Sequence, residues 1–277
     1  MTQASSLRPR ALLTGASSGI GRAIAPLLAA RGCDLVLTAR RQGLLDEVAA
    51  EVQAKHAECE IETIAADLGQ PSGAKDLWAR ATAKRGVDLL INNAGFGTFR
   101  TFTSAEWERD AELLQLNVVS LAELCHRFVS AAKERGGKGR ILNIASIAAY
   151  QSIPNFANYS ASKAYVRNFS EGLHDELAPS GISVTCVCPG GTKTPFHDAA
   201  GAGNYGKLAN ASMMSAEEVA AISVAAMFAG KRTVIPGAIN KLSCFGVRLV
   251  PRSFASRVAS WVLGKPRSHQ QLPTRGA

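Results

Sequence analysis

The stretch Ala11-Leu12-Leu13-Thr14-Gly15-Ala16-Ser17-Ser18-Gly19-Ile20-Gly21 decides the fold. Ala11 to Thr14 reads as a buried strand. The glycines that follow have the spacing G-x-x-x-G-x-G and lead into a helix. Glycine lets the backbone turn sharply and approach a pyrophosphate, and a helix N-terminus attracts its charge. A glycine cluster by itself also simply makes turns. Between a first strand and a helix it predicts a dinucleotide site, with Gly15, Ser17, Ser18, Gly19 and Ile20 around the phosphates.

Outward from this loop, short apolar runs alternate with helical stretches. Strands are expected at 35–38, 61–65, 87–91, 140–144 and 182–187. Helices are expected at 23–31, 44–55, 75–84, 111–133 and 158–177, and Ser215-Ala216-Glu217-Glu218 opens another through Ala229 as a capping box. Strands separated by helices imply parallel βαβ units in one doubly wound α/β sheet with helices on both faces. The continuous apolar character of 182–187 fits a strand covered on both sides. Pro26 falls inside the first helix and predicts either a bend there or a helix that tolerates it near its first turns.

The second strand ends at Thr38-Ala39-Arg40-Arg41. An acid at that place would take the ribose 2′-hydroxyl of NAD(H). This chain offers guanidinium groups, which suit a 2′-phosphate, so NADP(H) is preferred with NAD(H) as the alternative and Arg40 as the contact. The plain alternative is that both arginines are the solvated start of a helix.

Tyr159 and Lys163 are four residues apart, one above the other on a helix face. A nearby ammonium stabilises a phenolate and lowers the tyrosine pKa from about 10. Such a tyrosine gives or takes a proton while a hydride moves at a carbonyl carbon. Ser146 follows the 140–144 strand, and its hydroxyl can hold the same oxygen. A surface Tyr beside a surface Lys is the plain alternative.

The set Thr14-Gly15-x-x-x-Gly19-x-Gly21, Asn92-Asn93-Ala94-Gly95, Ser146, Tyr159-x-x-x-Lys163 and Pro189-Gly190 resembles the short-chain dehydrogenase/reductase family. Order and approximate spacing match from about residue 10 to 195. The resemblance implies a single Rossmann-like domain with a seven-stranded parallel sheet and a nicotinamide cofactor. It implies Tyr159 as general acid/base, Lys163 on the nicotinamide ribose, Ser146 on the substrate carbonyl, and Asn117 in a proton relay. It places Asp67 and Leu68 at adenine, and Asn93, Ala94 and Gly95 along the cofactor. Pro189, Gly190, Thr192 and Thr194 would lie over nicotinamide and pyrophosphate. Pairing through the long helices would give a dimer or tetramer.

The chain has 277 residues, 47% hydrophobic and 19% charged, enough apolar surface for a sizeable core. No run of about 18 apolar residues reads as a membrane span. The N-terminus lacks a signal-like apolar run. The six cysteines form no C-x-x-C pair, and the five histidines are scattered. Reduced thiols in a cytoplasmic protein without a metal site are the expectation.

Charge is uneven. Residues 1–218 hold 22 basic and 22 acidic side chains, and the whole net charge of +9 follows Glu218. The reading is a dinucleotide-binding and catalytic domain over 1–230, including a substrate lid at 191–218, and a basic, partly helical extension over 231–277. Phe196 to Met214, with Gly201, Gly203, Gly206, Met213 and Met214, forms the flexible wall of the lid. Phe96, Phe99, Tyr150, Ile153 and Phe156 flank the motifs and imply a pocket for a hydrophobic ketone or alcohol, though core packing is the plain alternative. Phe254, Val258 and Trp261 form one helical face, with Arg252, Arg257 and Lys265 beside it. That helix either lies on an anionic membrane, through 250–277, or packs back on its own domain. No reading motif for nucleic acid accompanies the charge. The expected activity is carbonyl reduction or the reverse. The alternatives are a cofactor-sensing module without turnover and a membrane-peripheral reductase of ketoacyl or sterol-like lipids.

Overall fold

Adjacent residues of the central strands feed different hydrophobic layers, which is why those runs are apolar throughout. The computed structural model describes residues 8–196, 200–201 and 213–264. Seven strands form one parallel sheet: β1 (Arg10–Thr14), β2 (Asp34–Ala39), β3 (Ile61–Ala65), β4 (Leu89–Asn92), β5 (Gly139–Ile144), β6 (Ile182–Val187) and β9 (Thr233–Val234). Their order is β3-β2-β1-β4-β5-β6-β9. Two further strands, β7 (Thr192–Lys193) and β8 (Met214–Ser215), pair with each other outside it.

On one face Leu12, Val36, Leu90, Ile141 and Val184 pack with α3 (Gly73–Thr82), α5 (Leu121–Glu134) and α6 (Ala157–Leu177). On the other, Leu13, Leu37, Ile91, Leu142 and Val187 pack with α1 (Gly19–Ala29), α2 (Gln42–Lys55) and α7 (Ala216–Phe228). This is the doubly wound sheet expected from the alternating runs. The order turns back at β1, so the β1 and β4 ends share the crevice where ligands bind in such sheets.

Several elements differ from the sequence reading. Helix α1 begins at Gly19, four residues earlier than expected; it contains Pro26, in keeping with one of the two expectations. The stretch expected as one helix over 111–133 has three parts: α4 (Trp107–Leu114), a π-helical turn at Gln115–Ser120, and α5. Strand β9 lies beyond residue 230, so the sheet is completed by chain from the basic end. The capping box holds: Ser215 Oγ accepts from Glu218 N at 3.1 Å, and Glu218 accepts from Ser215 N at 2.9 Å.

Two helices follow β9, α8 (Ala238–Gly246) and α9 (Arg252–Leu263). Helix α9 packs back on the domain, but not by its aromatic stripe. Ala255 and Ala259 are the buried positions, while Phe254, Val258 and Trp261 face solvent. No described helix is long and apolar enough to cross a membrane. The six thiols are unpaired and buried. Residues 197–199 and 202–212 of the expected lid, with Gly203 and Gly206, lie outside the described residues. So do residues 265–277 of the basic end, with Lys265.

Candidate active site

The glycine loop is held from beneath by β4. Thr14 Oγ1 accepts from the backbone N–H of both Asn93 and Ala94 at 3.0 Å, and donates to Ile91 O at 3.2 Å. The Asn93 amide donates to Thr14 O at 3.0 Å and Gly15 O at 3.1 Å. Asn93 therefore fixes the loop through its carbonyls. Gly15 sits at φ +67° and Gly19 at φ +54°, backbone that side chains rarely adopt. A Cβ at Gly21 would lie 2.1 Å from Gly15 O, and one at Gly19 would lie 3.0 Å from Thr194 Cγ2. The loop and the Pro189–Thr194 segment approach closely only because these residues have no side chain. Ser18 makes no side-chain cap bond at the start of α1, which suits an anion at that helix end.

The second group of residues sits at the carboxyl ends of β5 and β6. Tyr159 and Lys163 are both buried on α6. Lys163 Nζ donates to Ile144 O, the last residue of β5, at 2.9 Å and lies 5.8 Å from the Tyr159 ring centre. Burial pushes the Lys163 amine down to about 8. Tyr159 stacks on Phe156, ring centres 4.3 Å apart, and Phe156 meets Phe99 edge-on at 5.5 Å. Ser146 Oγ accepts from Ala148 N at 3.1 Å and approaches Pro189 O at 3.5 Å.

Asn117 is buried within the π-helical turn. Its amide donates to Phe96 O at 3.0 Å and Ser162 Oγ at 3.1 Å, and its carbonyl accepts from Phe96 N at 3.2 Å. Ser162 Oγ in turn donates to Tyr159 O at 2.7 Å. In the same turn, Ser120 Oγ donates to Leu68 O at 2.7 Å. The widened turn thus ties the Asp67–Leu68 loop, the Gly95–Phe96 loop and helix α6 together.

One cleft of about 840 Å³ joins these groups, within the range of pockets that hold cofactors and drug-sized ligands. Its wall includes Gly15, Ser17, Ser18, Gly19, Ile20, Arg40, Asp67, Leu68, Asn93, Ala94 and Gly95. It also includes Ser146, Tyr159, Lys163, Pro189, Gly190, Thr192 and Thr194. Of the sequence-derived catalytic and cofactor-contacting residues, Asn117 is the one not on the wall; it stands behind, 3.0 Å from where a Gly95 Cβ would be. A glycine-floored cradle, an open helix end and an apolar far half fit an extended dinucleotide with space beside its reactive end.

The short chain dehydrogenase family model matches residues 9–205. The chain belongs to that family. An uncharacterized oxidoreductase of Staphylococcus saprophyticus is 34% identical over 67% of this chain and 79% of its own. A short-chain dehydrogenase from Sphingobium yanoikuyae, solved in complex with NADPH, superposes at a TM-score of 0.76 with 32% identity. That match covers 87% of this chain and 94% of the other. A bulky-bulky ketone specific alcohol dehydrogenase from Comamonas testosteroni superposes at 0.74 with 27% identity, covering 97% and 100%. The chain is an oxidoreductase of the short-chain dehydrogenase family.

Within this family member, four features of the cleft escape sequence reasoning. Arg40 Nη1 lies 3.6 Å from Glu112 Oε1, and Arg109 holds the same carboxylate at 2.7 Å. Glu112 is 72 positions away and carries no local signal. Ser162, the link between Asn117 and Tyr159, looks like any helical serine. Asn240 fills the space beside Gly190, where a Cβ would meet its amide at 2.5 Å. Finally, α8, the turn after it and α9 complete the far wall with Ile239, Val247, Val258, Ala259 and Val262. Ala259 joins Phe99, Ile153, Phe156 and Tyr159 in one apolar cluster, with Phe96 and Phe196 against it. Phe96, Tyr150, Ile153 and Phe156 line the cleft, as the sequence predicts, whereas Phe99 is packed behind it. Among the described residues no three His, Cys, Asp or Glu side chains cluster as metal ligands would.

Proposed function

We propose that the protein is an NADP(H)-dependent oxidoreductase that interconverts a bulky hydrophobic ketone and its secondary alcohol. The observation that carries this reading is the burial of Tyr159 and Lys163 in one cleft whose side toward α8 and α9 is mostly apolar. A nicotinamide, when bound, supplies or accepts the hydride at the substrate carbon. Gly15, Ser17, Ser18, Gly19 and Ile20 would hold its phosphates, and Asp67 and Leu68 the adenine end. Asn93 supports the loop, Ala94 and Gly95 border the cofactor, and Pro189, Gly190, Thr192 and Thr194 close over it.

Tyr159 gives its phenolic proton to the carbonyl oxygen in reduction and takes it back in oxidation. The Lys163 ammonium stabilises the phenolate left behind. Ser146 donates a hydrogen bond to the same oxygen as negative charge develops. Asn117 acts as a positioning residue, since its amide and carbonyl are committed to Phe96 and Ser162. Phe156, Ile153 and the α9 alanines exclude water and accept an apolar substituent. The bulky-ketone preference named for the Comamonas testosteroni relative and the NADPH held by the Sphingobium yanoikuyae relative support this reading.

The test is Tyr159→Phe. Its kcat for NADPH-dependent reduction of bulky aryl or alicyclic ketones falls by roughly 10²–10⁴-fold, while NADPH affinity is kept. An unchanged rate overturns the assignment and leaves a cofactor-sensing module as the reading.

A further inference from the structure

Among the described residues, eleven large apolar side chains are strongly exposed, and seven of them lie between residues 239 and 261. On α8 and the turn after it they are Ile239, Leu242, Phe245 and Leu249, with Trp261 the most exposed of all at 80%. Phe254 and Val258 continue the stripe along α9. The spacing i, i+3, i+6 on α8 and i, i+4, i+7 on α9 puts each set on one side of its helix.

The same segment carries Lys241, Arg248, Arg252 and Arg257, all exposed, and no acidic residue. Elsewhere the protein engages many of its surface cations: Arg22, Arg40, Arg109, Arg127 and Arg232 each meet a carboxylate. Among the described residues, none of the four cations on α8, α9 and their connection makes an ion pair. An exposed apolar stripe flanked by unpaired cations complements a surface that is apolar inside and anionic outside. Ile239, Phe254 and Val258 belong both to this patch and to the cleft wall. The patch therefore borders the cleft on its far, apolar side.

We propose that α8 and α9 seat the protein on an anionic lipid bilayer, with the apolar side of the cleft next to the membrane. Leu242, Phe245, Leu249 and Trp261 enter the headgroup–acyl boundary, and the four cations meet lipid phosphates. A lipid-soluble substrate then reaches the cleft past Ile239, Phe254 and Val258 without crossing water. This binding does not depend on the activity proposed above, and vesicle binding without cofactor separates the two.

The experiment is flotation of the full chain with vesicles of phosphatidylcholine alone or mixed with phosphatidylglycerol, at low and high salt. Binding to the mixed vesicles, absent on phosphatidylcholine and weakened by salt, is expected. Arg252→Gln with Arg257→Gln should weaken it about 25-fold, roughly fivefold for each charge removed. Leu242→Ser with Trp261→Ser should abolish it while NADPH binding and the melting temperature of the apo protein persist, because both side chains are exposed. Equal binding to neutral and anionic vesicles, or no binding to either, overturns the proposal. If the serine variant instead turns a dimer into a monomer and vesicles are ignored, the patch belongs to a second copy of this chain.

Discussion

Lys163 carries an energetic cost that its role requires. Burial holds its amine near 8, against about 10.4 in an unfolded chain. Below pH 8 both states are charged and the folded state bears the full desolvation penalty, on the order of 3 kcal/mol. Between pH 8 and about 10 the unfolded chain binds the extra proton, so stability contributed by this group rises with pH. Lys163→Met should therefore make the cofactor-free protein more stable at pH 7, by about 1–3 kcal/mol. That gap should shrink as pH approaches 10, measured by urea unfolding at each pH. A variant less stable at pH 7, or a gap independent of pH, counts against the burial account. Arg40 sets a second residue-scale expectation. Glu112 competes for its guanidinium at 3.6 Å. Glu112→Gln should tighten NADPH binding several-fold, and Arg40→Ala should weaken NADPH while leaving NADH nearly unchanged. Titration by cofactor fluorescence decides, and tighter NADH binding in the native protein would mean that Arg40 does not select the 2′-phosphate.

At the scale of elements, the glycine loop permits the sharpest expectation. A Cβ at Gly21 would occupy the place of Gly15 O, and backbone cannot yield there as a flexible side chain can. Gly21→Ala should weaken dinucleotide binding by more than tenfold while circular dichroism stays native. The central strands were legible because both faces are buried, so β1, β4 and β6 read as largely apolar runs, while the edge strand β3 kept Ile61 and Ile64 with Glu62 and Thr63 between them. Strand β9 was not, since two residues hold no period. The π-helical turn was hidden for another reason: Leu113, Leu121 and Leu124 keep an apolar rhythm across it, and apolar rhythm reports burial rather than hydrogen-bond register. The glycine, Tyr159 and Lys163 positions were legible because their chemistry is local in sequence. Glu112, Ser162 and Asn240 were not, because each acts through a partner that only folding brings near. In α9 the large residues Phe254, Val258 and Trp261 face outward, the reverse of a helix packed by its apolar face. Here alanine faces inward because space is needed there.

For the whole molecule, one segment supplies the reactive groups and another shapes what they receive. The sheet and α6 set Tyr159 and Lys163, while α8 and α9, joined after the last strand, form much of the apolar wall. Ala259 lies in the cluster with Tyr159 and Phe156 and also lines the cleft. Ala259→Phe should raise KM for the bulkiest ketones about tenfold or more, leave small ketones little affected, and leave NADPH affinity unchanged. Equal losses across a substrate panel of graded size would place Ala259 in the core rather than the pocket.

The π-helical turn at Gln115–Ser120 amounts to one surplus residue absorbed by a continuous rod. Removing a single residue there would rewind it to ordinary pitch with α4 and α5 still close to their present phase, because the widened turn already absorbs the extra residue. Leu113 and Asp110 would keep their seats, but the bonds of Asn117 to Phe96 and of Ser120 to Leu68 would go with the widened turn. In an alignment of relatives, a one-position gap between 115 and 120 thus flags a chain that has lost this polar knot, whatever letters surround it.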